Sequence, residues 1–361
     1  MYFKNTFKNK KVLVTGHTGF KGSWLVEWLN ILGANVYGIS KNIPTIPSHF
    51  KILKNLKKKN DMRFDLNDFN NFKKKILKIK PDFIFHLAAQ SLVKKSYSEP
   101  VLTWKSNLNS TLNLLEILRE VKKKTTIIIV TSDKCYLNVE KKTSYKETDT
   151  LGGYDPYSAS KASCEILFKS YIKSYFNKKN SKIKICTVRA GNVVGGGDWS
   201  QDRLIPDCIR CWSKKKILKI RSPNSTRPWQ HVLEAISGYL TLASKLNYSS
   251  KIHGESFNFG PSINKSYTVR NVFTLLKNFF PYSNYSIKKN KLIKETNLLN
   301  LNSKKAKKYL GWKSNLNFFE TIEYVGDWYK KYFINNKVIT SDQILKYQIL
   351  AKRRKLVWTK S

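Results

Sequence analysis

Tyr157 and Lys161, four residues apart in Tyr157-Ser158-Ala159-Ser160-Lys161, are a pair suited to proton chemistry. On a helix their side chains share one face. There the ammonium is expected to hold down the phenol's pKa, so that the oxygen can act as a base toward a substrate hydroxyl. Spacing alone does not select them, because the same Tyr-x-x-x-Lys pattern starts at Tyr37, Tyr175, Tyr285 and Tyr309. The selection comes from what lies upstream. Thr131-Ser132-Asp133-Lys134 offers a hydroxyl, a carboxyl and an amine directly after the apolar run Ile127-Ile128-Ile129-Val130. Earlier still, Gly16-His17-Thr18-Gly19-Phe20-Lys21-Gly22 sets glycines at G-x-x-G-x-x-G spacing after Val12-Leu13-Val14-Thr15.

Groups so far apart in the chain meet only if regular elements carry them to one place. The buried-strand run at 12–15, the glycine turn, an amphipathic helix (Trp24, Leu25, Trp28, Leu29, Leu32) capped by Gly33, and a strand at 36–39 form a dinucleotide-binding unit. In such a unit the backbone N–H groups of the turn receive a pyrophosphate. Strand-like Phe83-Ile84-Phe85-His86-Leu87 ends in small residues, Ala88 and Ala89, where a backbone can approach a cofactor, and Gln90 follows. A helix at about 101–121, the strand at 127–130, a helix bearing Tyr157 and Lys161, and a strand at 185–188 continue the alternation. Interleaved strands and helices predict an α/β fold: a doubly wound parallel Rossmann sheet with ligands at the C-terminal ends of its strands. Beyond Asn192 glycines and prolines break the pattern, which predicts a smaller, irregular α/β substrate lobe. The expected division is a Rossmann domain over 1–190, with 229–260 returning to it, a substrate lobe mainly over 191–335, and a helical basic tail over 336–361. That tail is expected to carry a capped helix starting near Ser341 and a solvated end at Lys352-Arg353-Arg354-Lys355.

Composition narrows the function classes. At 361 residues with 41% hydrophobic and 13% aromatic residues the chain can bury a full core, which excludes a disordered protein. No apolar run approaches the ~20 residues a membrane span needs, and the basic N-terminus leads into a strand and not a signal peptide, so no membrane association and a cytoplasmic location are expected. A formal charge of +43 raises nucleic-acid binding, but the lysines are spread along the whole chain and no nucleic-acid-binding signature is present. No specific nucleic-acid partner is expected. The five cysteines are expected as reduced thiols; Cys208 and Cys211 have metal spacing but no second pair, so no metal is expected.

The glycine turn, the Tyr157/Lys161 pair and the strand end at Ser132 together resemble an extended short-chain dehydrogenase/reductase. Within that superfamily the chain resembles the nucleotide-sugar 4,6-dehydratases, and most closely their CDP-glucose branch. The likeness includes His86-Leu87-Ala88-Ala89-Gln90, Gly152-Gly153-Tyr154-Asp155-Pro156-Tyr157, Arg189-Ala190-Gly191-Asn192-Val193-Val194-Gly195-Gly196-Gly197-Asp198-Trp199, Asp202-Arg203-Leu204-Ile205-Pro206-Asp207 and Arg227-Pro228-Trp229-Gln230-His231-Val232. It covers nearly the whole chain.

The resemblance implies NAD as cofactor, CDP-glucose as substrate, a homodimer or homotetramer, and a product destined for surface-polysaccharide deoxysugars. It assigns catalysis to Ser132, Asp133, Lys134, Tyr157 and Lys161. Tyr157, helped by Lys161, takes the 4-hydroxyl proton while hydride leaves C4. Asp133, kept protonated, delivers a proton to the departing 6-hydroxyl, and hydride then returns to C6. Many family members carry a glutamate after the aspartate as the C5 base, whereas Lys134 stands here. A lysine serves as that base only if burial or neighbouring positive charge lowers its pKa; otherwise its cation stabilises the enolate. The cofactor site is assigned to Gly16, Gly19, Phe20, Gly22, Asp65, Leu66, Ala88, Ala89 and Gln90 together with Tyr157 and Lys161. The acid expected after the second strand is absent: Gly38-Ile39-Ser40-Lys41 stands there, and Lys41 would suit the 2′-phosphate of NADP. Asn192, Arg203, Arg227 and His231 are the candidates for the nucleotide diphosphate, with a structural ion pair as the alternative for each arginine and core packing as that for His231.

Two other readings stay open at this point. A 4-epimerase or other sugar-modifying enzyme needs Tyr157, Lys161 and Ser132 but no acid/base pair for elimination. A non-catalytic nucleotide- or polyanion-binding protein needs no phenolate. Asp133-Lys134 directly after Ser132 favours the dehydratase.

Overall fold

The computed structural model describes residues 2–140, 143–177, 181–220, 222–261, 267–280, 282–287 and 299–360. Seven strands build one sheet: β1 (Lys11–Thr15), β2 (Asn35–Ser40), β3 (Asp61–Arg63), β4 (Phe83–His86), β5 (Thr125–Val130), β6 (Ile183–Ala190) and β7 (Ser256–Phe259). They lie in the order β7-β6-β5-β4-β1-β2-β3, and every neighbouring pair is parallel. The order reverses between β1 and β4, where Thr15 pairs with His86, and such a switch point opens a crevice at the strands' C-terminal ends.

Strand periodicity explains why the sheet is covered on both faces. Val12, Val14, Phe83, Phe85, Ile128, Cys186 and Val188 belong to one buried cluster, and the alternating Leu13, Ile84, Ile127, Ile129, Ile183 and Ile185 belong to a second. The first cluster takes in α1 (Phe20–Ile31), the second α2 (Phe69–Ile79). The helix expected over 101–121 is present with an interruption: α3 (Pro100–Trp104) passes through a π turn at Lys105–Asn109 into α4 (Ser110–Glu120). Next comes α5 (Pro156–Tyr171), which carries Tyr157 and Lys161; Asp155 caps it by accepting from the Ser158 N–H, and Pro156 fits the first turn. Both α4 and α5 cover the second face through Leu114, Leu115, Leu118 and Phe168.

Past β6 the elements shorten. Two-residue strands pair Val193–Val194 with Gln230–His231 and Thr226–Arg227 with Tyr267–Thr268, and Leu218–Ile220 pairs with Tyr285–Ile287. Around them lie α6 (Leu204–Trp212), α7 (Val232–Tyr248) and α8 (Phe318–Asn335), the last opened by a capping box between Asn317 and Glu320. All three share the core of the α1 face, so this region and the sheet are joined by one continuous apolar cluster. Each fully buried large side chain, Trp24, Trp28 and Trp328 among them, contributes on the order of 1.5–3 kcal/mol or more.

The C-terminal segment is helical and packs back on the protein. Helix α9 (Thr340–Arg353) starts one residue before Ser341, without a side-chain cap, and packs on α1. Beyond it Trp358 stacks on Phe3 with ring centroids 4.9 Å apart and on Tyr347 at 5.8 Å. The basic run Lys352-Arg353-Arg354-Lys355 is exposed along its length, and Arg354 also pairs with the Glu320 carboxylate.

Candidate active site

The glycine turn is tight for reasons each glycine shows. Gly16 has φ +73°, and a Cβ there would lie 2.7 Å from the Ala88 nitrogen; one on Gly22 would lie 2.2 Å from the Gly16 carbonyl oxygen. So β1, the start of α1 and the end of β4 meet backbone to backbone. Gly19 is the N-cap of α1 and offers no side-chain acceptor, which leaves the first-turn N–H groups of Phe20 and its neighbours for an anion. Behind the turn Thr15 Oγ1 lies 2.8 Å from His86 Nδ1 and accepts from the Ala88 N–H at 3.3 Å. Gln90 is held by Asn107, which accepts from the Gln90 N–H at 2.8 Å and donates to Ser160 Oγ at 2.8 Å. The π turn thus ties the loop after β4 to the tyrosine helix, a frequent use of such turns.

At the end of β2 the missing acid is replaced by an arrangement the sequence did not reveal. The His17 ring lies against Gly38, with Nδ1 2.9 Å from Ser40 Oγ and Nε2 2.9 Å from Asp61 Oδ1. Lys41 Nζ pairs with Asp65 Oδ2 at 2.7 Å, and Asp65 Oδ1 accepts from Asn67. Burial raises the Asp65 carboxyl, but Lys41 and Asn67 outweigh it and hold the pKa below the usual value. The Leu66 carbonyl accepts from Asn113.

Ser132, two residues past β5, caps a 3₁₀ turn, Asp133–Cys135, by accepting the Lys134 N–H at 3.2 Å while donating to Asp133 Oδ1 at 2.9 Å. Asp133 is buried, and burial raises its carboxyl against the pull of Lys134, Ser132 and Lys21. A Cβ at residue 191 would sit 2.9 Å from Asp133 Oδ2, so Gly191 makes the room this carboxyl occupies. Lys134 is partly buried.

Across from this turn, Tyr157 is 7% exposed. Burial pushes its phenol up to about 12; the Ser132 hydroxyl, which hydrogen-bonds it, and the Arg203 charge pull it back, while Asp133 and Asp155 add to the rise. Besides burial, the groups acting most on the phenol come from the β5 turn and from Arg203. Lys161 is itself buried, donates from Nζ to the Val130 carbonyl at 3.4 Å, and has its pKa lowered by burial. One turn further, Glu165 bonds Arg189 Nη2 at 2.8 Å, Thr187 Oγ1 at 2.9 Å, Ser256 Oγ at 3.0 Å and Thr131 Oγ1, which pins α5 to β5, β6 and β7.

The substrate candidates separate. Arg203 Nη1 pairs with the buried Asp198 at 3.0 Å and yet acts electrostatically on Tyr157, so it is both an ion-pair partner and a neighbour of the site. Asn192 is exposed beside the strand end at Gly191. Arg227 lies in the short ribbon with Tyr267 and donates to the Thr226 carbonyl at 2.9 Å. His231 does not join them: it is fully buried between Trp24 and Tyr324, and its Nδ1 accepts the Leu233 N–H. Of the other Tyr-x-x-x-Lys copies, Tyr37 and Lys41 straddle the end of β2, Tyr309 and Lys313 straddle the turn at Gly311, and Lys179 and Lys289 lie outside the described residues.

One group in the site was missed. Lys21, the second residue of α1, is partly buried and interacts electrostatically with Arg203, Asp133, Lys161 and Asp198. Its signal was a lysine inside an otherwise uncharged helix start, Phe20-Lys21-Gly22-Ser23-Trp24. Among the described residues no cluster of histidine, cysteine and acidic side chains is arranged to hold a metal ion.

Comparison with known proteins gives the site a setting. Residues 13–325 match the family described as GDP-mannose 4,6-dehydratase. CDP-glucose 4,6-dehydratase of Salmonella typhimurium is 45% identical over 249 residues, covering 68% of this chain and 69% of that protein. Among solved structures, the epimerase Mth375 of Methanothermobacter thermautotrophicus superposes with a TM-score of 0.79 at 21% identity, over 92% of this chain and 95% of its own. The dTDP-glucose 4,6-dehydratase of Bacillus anthracis, solved in complex with NAD, superposes at 0.73 and 20% identity, over 89% and 97%. At such identities these two speak for the fold alone.

Proposed function

The chain belongs to the nucleotide-sugar 4,6-dehydratase family, and on that premise we propose that it converts CDP-D-glucose to CDP-4-keto-6-deoxy-D-glucose and water, with NAD as a cofactor regenerated in every cycle. The observation that carries the reading is Ser132, whose hydroxyl meets both the Tyr157 phenol and the Asp133 carboxyl. It joins the group suited to oxidation to the group suited to elimination.

The residues present fit NAD. The Gly16/Gly22/Ala88 contact leaves a cradle that any Cβ would fill, the first turn of α1 presents free N–H groups, and Asp65 neutralises the lysine that would favour a 2′-phosphate. When bound, NAD supplies the hydride acceptor at C4 and the donor at C6. The protein's part is proton movement. Tyr157 Oη takes the 4-hydroxyl proton once its own proton, which burial favours, has left it. Asp133, kept protonated by burial, gives its proton to O6, which leaves as water while an amine takes the proton from C5. Tyr157 then returns its proton through Ser132 to Asp133, and the amine returns its own to C5 as hydride reaches C6. The proton taken from the 4-hydroxyl is thereby passed on to the acid, and the cycle closes.

Asn192, Arg203 and Arg227 are assigned to the nucleotide diphosphate; His231, in the core, is not. The enzyme is further proposed to act in the cytoplasm as a homodimer or homotetramer, supplying deoxysugars for a surface polysaccharide. Two observations support this. Among the described residues no helix is long and apolar enough to cross a membrane. Exposed apolar residues lie on the outer helices, with Ile166 on α5 57% and Val101 on α3 64% exposed.

The test is one assay with CDP-, dTDP-, GDP- and UDP-glucose, read by the alkaline absorbance of a 4-keto product. CDP-glucose is expected to give that product. The epimerase reading predicts CDP-galactose in its place, and that result defeats the proposal. NADP as the only nucleotide released on denaturation defeats the cofactor assignment.

A further inference from the structure

Resting on the placement of NAD at the α1 turn, we propose that His49 is a positioning residue for the cofactor. As a neutral imidazole with its proton on Nδ1, it fixes the turn that receives the pyrophosphate and makes the C-terminal helix α9 part of that site. A line of buried hydrogen bonds carries the argument. Trp328 Nε1, on α8, donates to Thr340 Oγ1 at 2.9 Å, and Thr340, the first residue of α9, lies 2.9 Å from His49 Nε2. On the other side of the ring, His49 Nδ1 lies 2.7 Å from Ser23 Oγ, which donates to the Phe20 carbonyl at 2.9 Å. His49, Ser23, Thr340 and Trp328 are all buried, at 2% exposure or less. The short helix His49–Leu53 thus joins α1, α8 and α9 through one ring. That ring also packs against the substrate side of the site. A Cβ on Gly197 would lie 2.3 Å from His49 Cδ2, and Gly197 directly precedes Asp198, the partner of Arg203.

The order of protons along this line is determined. An indole N–H only donates and a carbonyl only accepts. Ser23 gives its hydroxyl proton to Phe20, so it accepts from His49, which places the ring proton on Nδ1. Nε2 then accepts the Thr340 hydroxyl proton, and Thr340 accepts from Trp328. The other tautomer leaves the Thr340 proton with no acceptor among the described residues, and a charged ring does the same. Burial agrees, holding the His49 pKa down at about 3. The far end of the line bears on the cofactor. The peptide joining Phe20 to Lys21 is planar, so a hydrogen bond to the Phe20 carbonyl sets where the Lys21 N–H points. That N–H is one of the first-turn donors of α1 that face the pyrophosphate. Ser341 adds a second tie one turn further along α1. It donates to Glu27, whose other carboxylate oxygen accepts from Asn55 at 2.9 Å.

NAD is titrated against the full chain, freed of bound nucleotide, as wild type, Ser23→Ala, His49→Phe, the double variant and His49→Asn. Ser23→Ala and His49→Phe are each expected to weaken NAD by about 3- to 10-fold, the range of one lost hydrogen bond. The double variant is expected to lose no more than either single one, because both cut the same line. His49→Asn, whose amide still donates toward Ser23, is expected to recover most of the affinity. The ¹⁵N spectrum of the wild-type imidazoles is expected to show His49 protonated on Nδ1 alone from about pH 6 to 8. Unchanged NAD affinity in both single variants, with urea midpoints lowered or not, makes the ring a packing element and overturns the proposal. So do additive losses in the double variant, a His49→Asn as weak as His49→Phe, or a wild-type ring protonated on Nε2. Where a variant fails to fold, the wild-type spectrum decides. In all these cases NAD binding by wild type leaves the cofactor assignment standing. A wild type that binds no NAD removes that assignment and the role of His49 together.

Discussion

Ser132 Oγ lies 2.9 Å from Asp133 Oδ1, as donor, and on its other side meets the Tyr157 phenol. Two groups that burial drives toward their protonated forms are thus linked by one hydroxyl. A hydroxyl both donates and accepts, so a proton can cross it in either direction as the other two change state. This makes Tyr157 and Asp133 one coupled system whose titration belongs to the pair.

Asp133→Asn separates the two jobs. The amide is nearly isosteric and still accepts from Ser132, but it has no acidic proton for O6. Oxidation at C4 is expected to persist and dehydration to fall by about 10²–10⁴-fold. Stopped-flow absorbance of the reduced cofactor, followed alongside 4-keto product, checks it. Equal loss of both signals would show that Asp133 serves oxidation as well.

Glu165 and Arg189 test what holds the tyrosine helix. Both side chains are 0% exposed and joined at 2.8 Å, and Glu165 accepts from three hydroxyls besides. Glu165→Gln leaves the Arg189 charge buried without its counter-ion, which is expected to cost about 3–5 kcal/mol. Urea unfolding gives the number. A loss under about 1 kcal/mol, the range of a surface pair, means the guanidinium finds water on local opening.

Cofactor choice rests on a pair the chain order hides. Lys41 comes directly after β2, where an acid would normally read the ribose, but its ammonium is bound by Asp65, 24 residues on. Asp65→Asn removes the counter-charge and frees Lys41 for a 2′-phosphate. NADP affinity is expected to rise relative to NAD, by about 0.2–1 kcal/mol because the pair is exposed. Parallel binding titrations of the two nucleotides decide; an unchanged ratio clears Lys41 of any part in the discrimination.

Much of the frame was legible because it is written in local pattern. Apolar runs such as Ile127-Ile128-Ile129-Val130 and the glycine turn state strand and phosphate loop without help from distant residues. Ser132, Asp133, Tyr157 and Lys161 could be placed together because each sits at a strand end or helix start on the same side of a parallel sheet. What stayed hidden depends on long-range partners. That His231 points into the core between Trp24 and Tyr324, that Ser132 and Arg203 act on the phenol, and that Trp358 stacks on Phe3 are all relations between residues far apart in sequence. Lys21 stands in the sequence as one letter of the glycine turn, and its electrostatic coupling to Asp133, Asp198 and Arg203 depends on residues far along the chain.

Lys21 also leaves a mark on stability. Its pKa in the folded chain is about 8, below the ordinary 10.5 of the unfolded one, because burial outweighs the nearby carboxylates. Between those values the unfolded state binds more protons than the native state, so this group makes stability rise with pH. Below about 8 both states are protonated, and the penalty of a desolvated ammonium is constant. Above 10.5 both are neutral and the penalty is gone. Lys21→Met has no such group. The stability of wild type minus that of Lys21→Met, both saturated with NAD, is therefore expected to be flat from about pH 6 to 7.5 and to climb from about 8 toward 10. Urea midpoints across that range measure it. A difference that stays level, or falls, means the Lys21 amine is fully charged in the native site.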